Sequence, residues 1–351
     1  MNKPMVEQQW TPGDTLDSDF LAIPHHVYAD CHWWPGEDSK ALARQFSALN
    51  PWFRQGTAWC GYIPGEARLA GFATRLTTGE TVVQFGYWET INALAPSQRL
   101  FAALARWARA QGATRLVGPI HFSTLGKFRL RLDTPSCAPF PGEPFNPPWY
   151  QQILAQLGFS QLADYVSIFD DAATALSLEL PTQTAGRWRS EDFTLQALTP
   201  ALWEAHKHAL WHVVTHAFRN NVGWTPCSEA LFDWHFNAQT IQPFCHAPAS
   251  CIAFGPQGDI AGLLFNLALP ERQTGIFKTI MIASPYRRSP LYAMLIRHFL
   301  TGFGSGYTRL GSALLNRVGP TTQTALRACC SPNRTLHHYG LFHRDIVNEL
   351  L

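Results

Sequence analysis

The sequence predicts an α/β (α+β) protein of two tandem domains, each a mixed, mostly antiparallel sheet flanked by helices. Three observations carry this. The order strands, helix, strand, helix, strand occurs twice, a repeat of architecture rather than of residues. A stretch of mixed character, 171–192, separates the two rounds and reads as a linker. The 351 residues, 46% of them apolar, suffice for two ordinary cores. The expected division is an N-terminal lobe over 1–170 and a C-terminal lobe over 193–351.

The elements follow from local pattern. The first fifty residues are irregular apart from a helix over 38–50, capped by Asp38 or Ser39. Apolar, β-branched and aromatic runs predict strands at 57–63, 68–77 and 81–91. Leu100, Leu104, Trp107 and Ala108 recur at helical spacing; with Pro96 at the start and Gly112 at the end they predict a helix over 96–112. A short buried strand (114–120), a proline-rich loop, a helix (148–159) and a strand (162–170) close the first round. The second has a strand at 193–199, helices at 200–218 and 227–236, and three strands in "SCIAFGP", "DIAGLLFNLAL" and "TGIFKTIMIA". A helix after "RRS" (287–289), a strand (307–315), a helix near 320–329 and a strand near 336–343 complete it. Each round is an antiparallel meander that turns α/β at one strand–helix–strand crossover.

Composition narrows the function. Charged residues are 15% of the chain, against roughly 25% on average, and aromatics are 13%, with 13 Trp. So little charge and so many rings point to a subunit interface, such as a homodimer, or a large apolar cavity. A net charge of +2 provides no global field for wrapping duplex nucleic acid. The eight Cys form no CxxC pair, and adjacent Cys329 and Cys330 are unsuited to pairing with each other; reduced, buried thiols are expected. No apolar leader opens the chain and no run is long enough to span a membrane, so a soluble, cytoplasmic protein is expected.

The segment "MIASPYRRSPLYAMLI" (281–296) runs from an apolar strand through an arginine-bearing turn into an amphipathic helix. Helix N-termini suit anions, because their first amides are unpaired and carry partial positive charge. Here Ser289 is a good N-cap and Pro290 a good first residue, so one amide is taken and another is missing. Tyr292 adds bulk where a phosphate would sit. Arg287 and Arg288 oppose the helix dipole, by roughly 0.3–1 kcal/mol each, unless an anion lies near; solvated surface arginines are the alternative.

The words "FGYWETI" (85–91), "LFAALARWARAQG" (100–112), "VGPIHFST" (117–124), "FNPPWYQQILAQLGF" (145–159), "AFRNNVGWTP" (217–226) and "YGLFHR" (339–344) resemble those of large, two-lobed bacterial GNAT (GCN5-related N-acetyltransferase) proteins. The resemblance covers about three quarters of the chain. It implies acyl transfer from an activated donor to an amine of a small molecule, in a candidate biosynthetic enzyme. In that family the fourth strand splays from the fifth, the pantetheine arm of acyl-coenzyme A fills the gap, and the turn after strand four, Arg/Gln-x-x-Gly-x-Gly/Ala, grips the pyrophosphate. The matching word here is Arg287-Arg288-Ser289-Pro290-Leu291-Tyr292: the arginine is kept and both glycines are gone. The N-terminal counterpart, 89–100, lacks them too, so that lobe is expected to have no coenzyme site.

The resemblance makes Met281, Ile282, Ala283, Arg287, Arg288, Ser289 and Tyr292 the candidate donor site. It places Tyr339 approximately where a tyrosine protonates the departing thiolate, and Asn221 and Trp224 in the loop beside the acceptor. His208, His212 and His216 lie along one face of the helix 200–218. They read as a polar face, as zinc ligands lacking a full set, or, for His212 and His216, as a general base for an ammonium acceptor. "HHVYADCHWW" (25–34) matches no metal signature, and no metal is expected. Lys127, Arg129 and Arg131 alternate, as on an exposed strand edge that meets solvent or an acidic partner. Three readings remain open: transfer from acyl-CoA; transfer from a carrier-protein- or tRNA-bound, possibly aminoacyl, donor that needs no pyrophosphate cradle; and a non-catalytic scaffold that has lost both cradles.

Overall fold

Near-continuous apolar runs over 56–90 form three long strands buried on both faces, and helices cover both faces. The computed structural model describes residues 3–177, 187–327 and 331–346. In chain order the elements are β1 (Val6–Trp10), α1 (Ser18–Val27), α2 (Ser39–Gln45), β2 (Gly56–Ile63), β3 (Ala67–Arg75), β4 (Thr81–Thr90), α3 (Leu94–Ala110), β5 (Arg115–Gly118), β6 (Leu130–Arg131) and α4 (Tyr150–Gln156). Then come β7 (Ser160–Asp171), α5 (Ala172–Leu176), β8 (Thr194–Ala197), α6 (Pro200–Phe218), α7 (Glu229–His235), α8 (Ala238–Ile241), β9 (Cys251–Phe254), β10 (Ile260–Leu269), β11 (Thr274–Ile282), α9 (Leu291–Gly302), β12 (Arg309–Asn316), α10 (Pro320–Arg327) and β13 (Thr335–Asp345).

The chain forms two compact units: unit 1 holds residues 1–164, 221–234 and 338–351, and unit 2 holds 165–220 and 235–337. They depart from the division expected from sequence in three segments. Residues 221–234 and 338–351, assigned to the C-terminal lobe, belong to unit 1. The last part of β7 belongs to unit 2.

In unit 1 the strand order is β1-β2-β3-β4-β5-β13, antiparallel except for the β4–β5 pair, with β6 paired to β13. Helix α3 packs on β2 and β3, burying Leu100, Phe101, Leu104 and Ala108 with Trp59, Leu69 and Phe85. Its first turn begins two residues before Pro96. On the other face, α1 and α2 bury Phe20, Ile23, Leu42 and Phe46 against Trp52, Phe72 and Phe122. The stretch expected to be irregular therefore contains β1 and α1. Asp17 caps α1, and Asp38 rather than Ser39 caps α2, its carboxylate accepting from the amides of Lys40 and Ala41.

In unit 2 the order is β7-β12-β11-β10-β9-β8, again antiparallel except for β11–β12. Helix α9 packs against β10 and β11 through Leu291, Leu295 and Phe299. The adjacent cysteines 329 and 330, part of the expected linker and the end of the helix near 320–329 lie outside the described residues.

Candidate active site: a strand gap and the turn beside it

In unit 2, β11 and β12 run side by side for four residues, Thr274–Phe277 against Arg309–Ser312, and then separate. Both strands contain the cause. Lys278 is an extra residue on β11, a bulge in its pairing with β10. β12 shifts register against β7 between Ser312 and Leu315, where Leu314 has φ 57° and its N–H binds Ser167 Oγ at 2.9 Å. Each bulge bends its strand where the pairing ends.

Beyond the bulge the register decides which amides face the gap. The Ala283 N–H binds Ala261 O at 2.9 Å, so Ala283 and, two residues back, Met281 aim their amides at β10. Ile280 and Ile282 turn theirs to the side that β12 has left. Of the three candidates on this strand, Ile282 presents its amide to the gap; Met281 and Ala283 do not. Ile280 was missed, because hydrogen-bond parity depends on a one-residue bulge that no local pattern announces.

The turn is closed on itself, although α9 begins at Leu291 with Pro290 in the N-cap position, where Ser289 was expected. Ser289, buried, donates from Oγ to Tyr286 O (2.6 Å) and accepts from Leu291 N (3.2 Å); Pro290 has no N–H. Tyr286 is buried away from the gap, its hydroxyl 2.8 Å from both oxygens of Asp259 and its ring 5.5 Å from Phe193. Burial, with Asp259 beside it, pushes the Tyr286 phenol up to about 12. Arg287 and Arg288 are exposed, and Tyr292 is half-buried. A third arginine joins them from far upstream. Trp188 Nε1 donates to Pro285 O at 3.1 Å, and the Arg187 guanidinium lies 4.4 Å from the centre of that indole ring. The bulky turn offers few amides to a pyrophosphate, whereas its guanidiniums suit phosphate oxygens.

Other candidates lie elsewhere. His208, His212 and His216 are exposed. They stand two positions, some 200° around the helix, from the buried Leu210 and Val214 that face the sheet, so α6 carries them outward. His216 Nδ1 lies 3.3 Å from the Arg219 guanidinium. Asn221 and Trp224 are in unit 1, where a turn closes on Trp224 N–H to Asn221 O (3.1 Å) and Gly223 O accepts from Gln84 Nε2 (2.7 Å). Gly223 has φ 78°, and a Cβ there would meet Ile120 at 2.8 Å. Tyr339 is wholly buried in unit 1, donating to Glu143 Oε1 at 2.5 Å. Arg131 is buried with them, 3.3 Å from Glu143 and 2.6 Å from Asp133. Burial opposes its charge, but these carboxylates hold its pKa above the usual arginine value. The expectation of Lys127, Arg129 and Arg131 on one exposed edge thus fails: β6 is two residues long, and Arg129 has φ 83°.

Unit 1 also holds a polar cluster that the sequence reading passed over. Glu89 on β4 accepts from Tyr28 (2.8 Å) and Tyr150 (2.7 Å), and Arg68, opposite it on β3, is fully buried and bonded to both oxygens of Glu37 (2.6 and 2.8 Å). Burial raises the Glu89 pKa, against the pull of Arg68, and raises both phenols. The available signal was a charge within each of two apolar strands, "ARLAGFAT" and "FGYWET", facing each other across the ladder.

Among the described residues no group of three or more His, Cys, Asp or Glu is arranged to hold a metal, and no helix is long and apolar enough to cross a membrane. A shallow depression of about 530 Å³, lined by Asp171, Arg309, Asn333 and Arg334, lies at the starting end of β12, away from the gap.

The two α/β units share one architecture, a mixed sheet in which two parallel strands pair briefly and then part. Solved structures agree. A conserved protein of unknown function from Enterococcus faecalis V583, described as a probable N-acyltransferase, superposes with TM-score 0.57 at 9% identity, over 98% of this chain and 73% of that one. A tandem GNAT protein from the clavulanic acid biosynthesis pathway gives 0.54 at 10% identity, over 99% and 100%. A GCN5-related N-acetyltransferase from Kribbella flavida gives 0.53 at 10%, over 98% and 71%. The chain has the GNAT fold, in tandem. No protein-family model matches the sequence. Protein YghO of Escherichia coli K12 is 27% identical over 162 residues, which span 42% of this chain and 40% of YghO.

Proposed function

We propose that the chain is an N-acyltransferase that moves an acyl group from a pantetheine-type thioester to an amine of a small molecule. The observation that carries this reading is the gap between β11 and β12, with the amides of Ile280 and Ile282 turned into it. An extended thioester arm fits such a gap as a substitute strand, its amides meeting those of β11. In the reaction the amine nitrogen forms a bond to the thioester carbon, the C–S bond breaks, the nitrogen loses a proton and the departing sulfur gains one. The strand amides would hold the carbonyl oxygen as negative charge grows on it, and the gap would fix the angle of attack. Arg187, Arg287 and Arg288 would meet the donor's phosphates.

The turn favours one class of donor. With Leu291 N–H capped by Ser289 and no N–H at Pro290, a carrier-protein-bound pantetheine, which has a single phosphodiester, suits it better than the pyrophosphate of coenzyme A. A tRNA-bound donor would use the same guanidiniums. The test is thiol release by the purified protein, given acetyl-CoA or an acylated carrier protein with a panel of small amines. Amine-dependent release, with higher kcat/KM for the carrier, is expected. Absence of both release and binding with either thioester would leave the scaffold reading in its place.

A further inference from the structure

In unit 1 the equivalent gap is filled from within. β4 and β5 pair only at Val83–Gln84 with Leu116–Val117, and one more bond, Ile120 N–H to Phe85 O at 2.7 Å, ends the contact. The chain then turns away, closing a loop with His121 N–H on Lys127 O. Farther along β4, the Ile91 N–H binds Glu66 O on the β3 side, so Thr90 aims its main-chain groups into the space that β5 leaves. Both groups are taken. The Thr90 N–H donates to Tyr150 Oη at 2.8 Å, and Thr90 O accepts from Trp149 Nε1 at 3.1 Å. The Tyr150 ring lies on the α3 face of the sheet, 4.5 Å from Trp88, whereas its hydroxyl donates at 2.7 Å to Glu89, whose neighbours Tyr28 and Arg68 belong to the α1 face. The side chain therefore passes through the gap.

We infer that Trp149 and Tyr150 form a built-in plug where a thioester arm would lie in unit 1, so that each chain takes one donor, in unit 2. What the gaps accept rests on the proposed function; that unit 1 is plugged rests on the bonds to Thr90. A donor entering unit 1 would have to break the Thr90 bonds to Tyr150 and Trp149 and withdraw a ring that is 1% exposed, whereas in unit 2 it meets amides already turned to the gap.

The test is native mass spectrometry and calorimetry of the full chain with acetyl-CoA and with S-acetylpantetheine, on wild type and on the double variant Trp149→Ala/Tyr150→Ala. One equivalent on wild type and two on the variant is the expected result. None on wild type but one on the variant upholds the plug and overturns the donor role of unit 2. Two on wild type, or no gain in a variant that keeps its circular dichroism, overturns the plug. Should the double variant not fold, Tyr150→Phe decides by hydrogen exchange. The Thr90 amide is expected to exchange at least tenfold faster while Ile91, bonded to Glu66, is unchanged; unaltered protection of Thr90 overturns the inference.

Discussion

The Tyr339 hydroxyl donates to Glu143 at 2.5 Å, with both side chains buried and the Arg131 guanidinium 3.3 Å from the same carboxylate. The tyrosine that resemblance placed beside a departing thiolate is thus committed to a structural carboxylate. Its work is to tie β13 to the long loop before α4, whose Asn146 side chain also accepts from Arg131 N–H at 2.7 Å.

Replacing Tyr339 by Phe should therefore lower stability and leave chemistry alone. The loss leaves a buried carboxylate short of one donor, which costs about 1–3 kcal/mol. Chemical denaturation should show that drop, while kcat for thiol release by the folded variant stays at the wild-type value. A collapse of kcat at unchanged stability would return Tyr339 to the reaction.

The units exchange strands along the chain, and that predicts the behaviour of fragments. Residues 1–177 lack the stretch after His338 that pairs with β5, and also the Asn221–Trp234 segment of unit 1; residues 187–351 lack β7, the partner of β12. Neither fragment should unfold cooperatively alone, since each leaves a sheet edge of unit 1 or unit 2 unpaired. Co-expressed, the two should copurify and regain a single sharp transition. A stable, cooperative 1–177 fragment would contradict the exchange.

Arg287 and Arg288 are exposed and make their contribution, in the proposed function, only when donor is present. The Arg287→Ala/Arg288→Ala variant should raise KM for the thioester roughly tenfold, about 1.4 kcal/mol, with Tm unchanged. Steady-state kinetics at two salt concentrations check this, because screening weakens a contact between charges in the wild type more than in the variant.

His235 predicts a loss of stability in acid. Burial lowers its pKa from 6.5 to about 4. Between those values the unfolded chain binds a proton that the folded chain refuses, so this contribution is complete above about 6.5 and fades as pH falls towards 4. Glu89 acts in the opposite sense: its pKa is raised by burial, so its contribution is present below 4.5 and is lost as pH rises through the folded value. The Tm of His235→Gln, measured at pH 7 and pH 5, should fall less between the two than that of wild type.

Much of the fold was legible because its signals are local. The spacing of Leu100, Leu104 and Ala108 marks α3, the apolar runs in 57–91 mark β2 to β4, and Asp38 marks the start of α2. β1 escaped notice because four of its five residues are exposed, and α1 because Pro24 and two histidines break its apolar stripe. At the site, the bond from Leu291 N–H to Ser289 Oγ is legible because the two are near neighbours, although α9 starts one residue later than expected, with Pro290 rather than Ser289 in the N-cap position. Arg187 and Trp188 could not be placed beside it, lying about a hundred residues upstream in apparent linker.

By itself, then, the sequence determined two rounds of the same elements and a glycine-free turn before α9, because helix periodicity, apolar strand runs and capping act within a few residues of chain. Only the tertiary structure decided that β13 completes unit 1, that Tyr339 serves Glu143, and that Tyr150 threads the gap at Thr90 to reach Glu89, 61 residues away in the chain. Such pairings are selected by burial: a polar group removed from water must find a partner wherever the fold brings one, and neither spacing nor composition records which it will be.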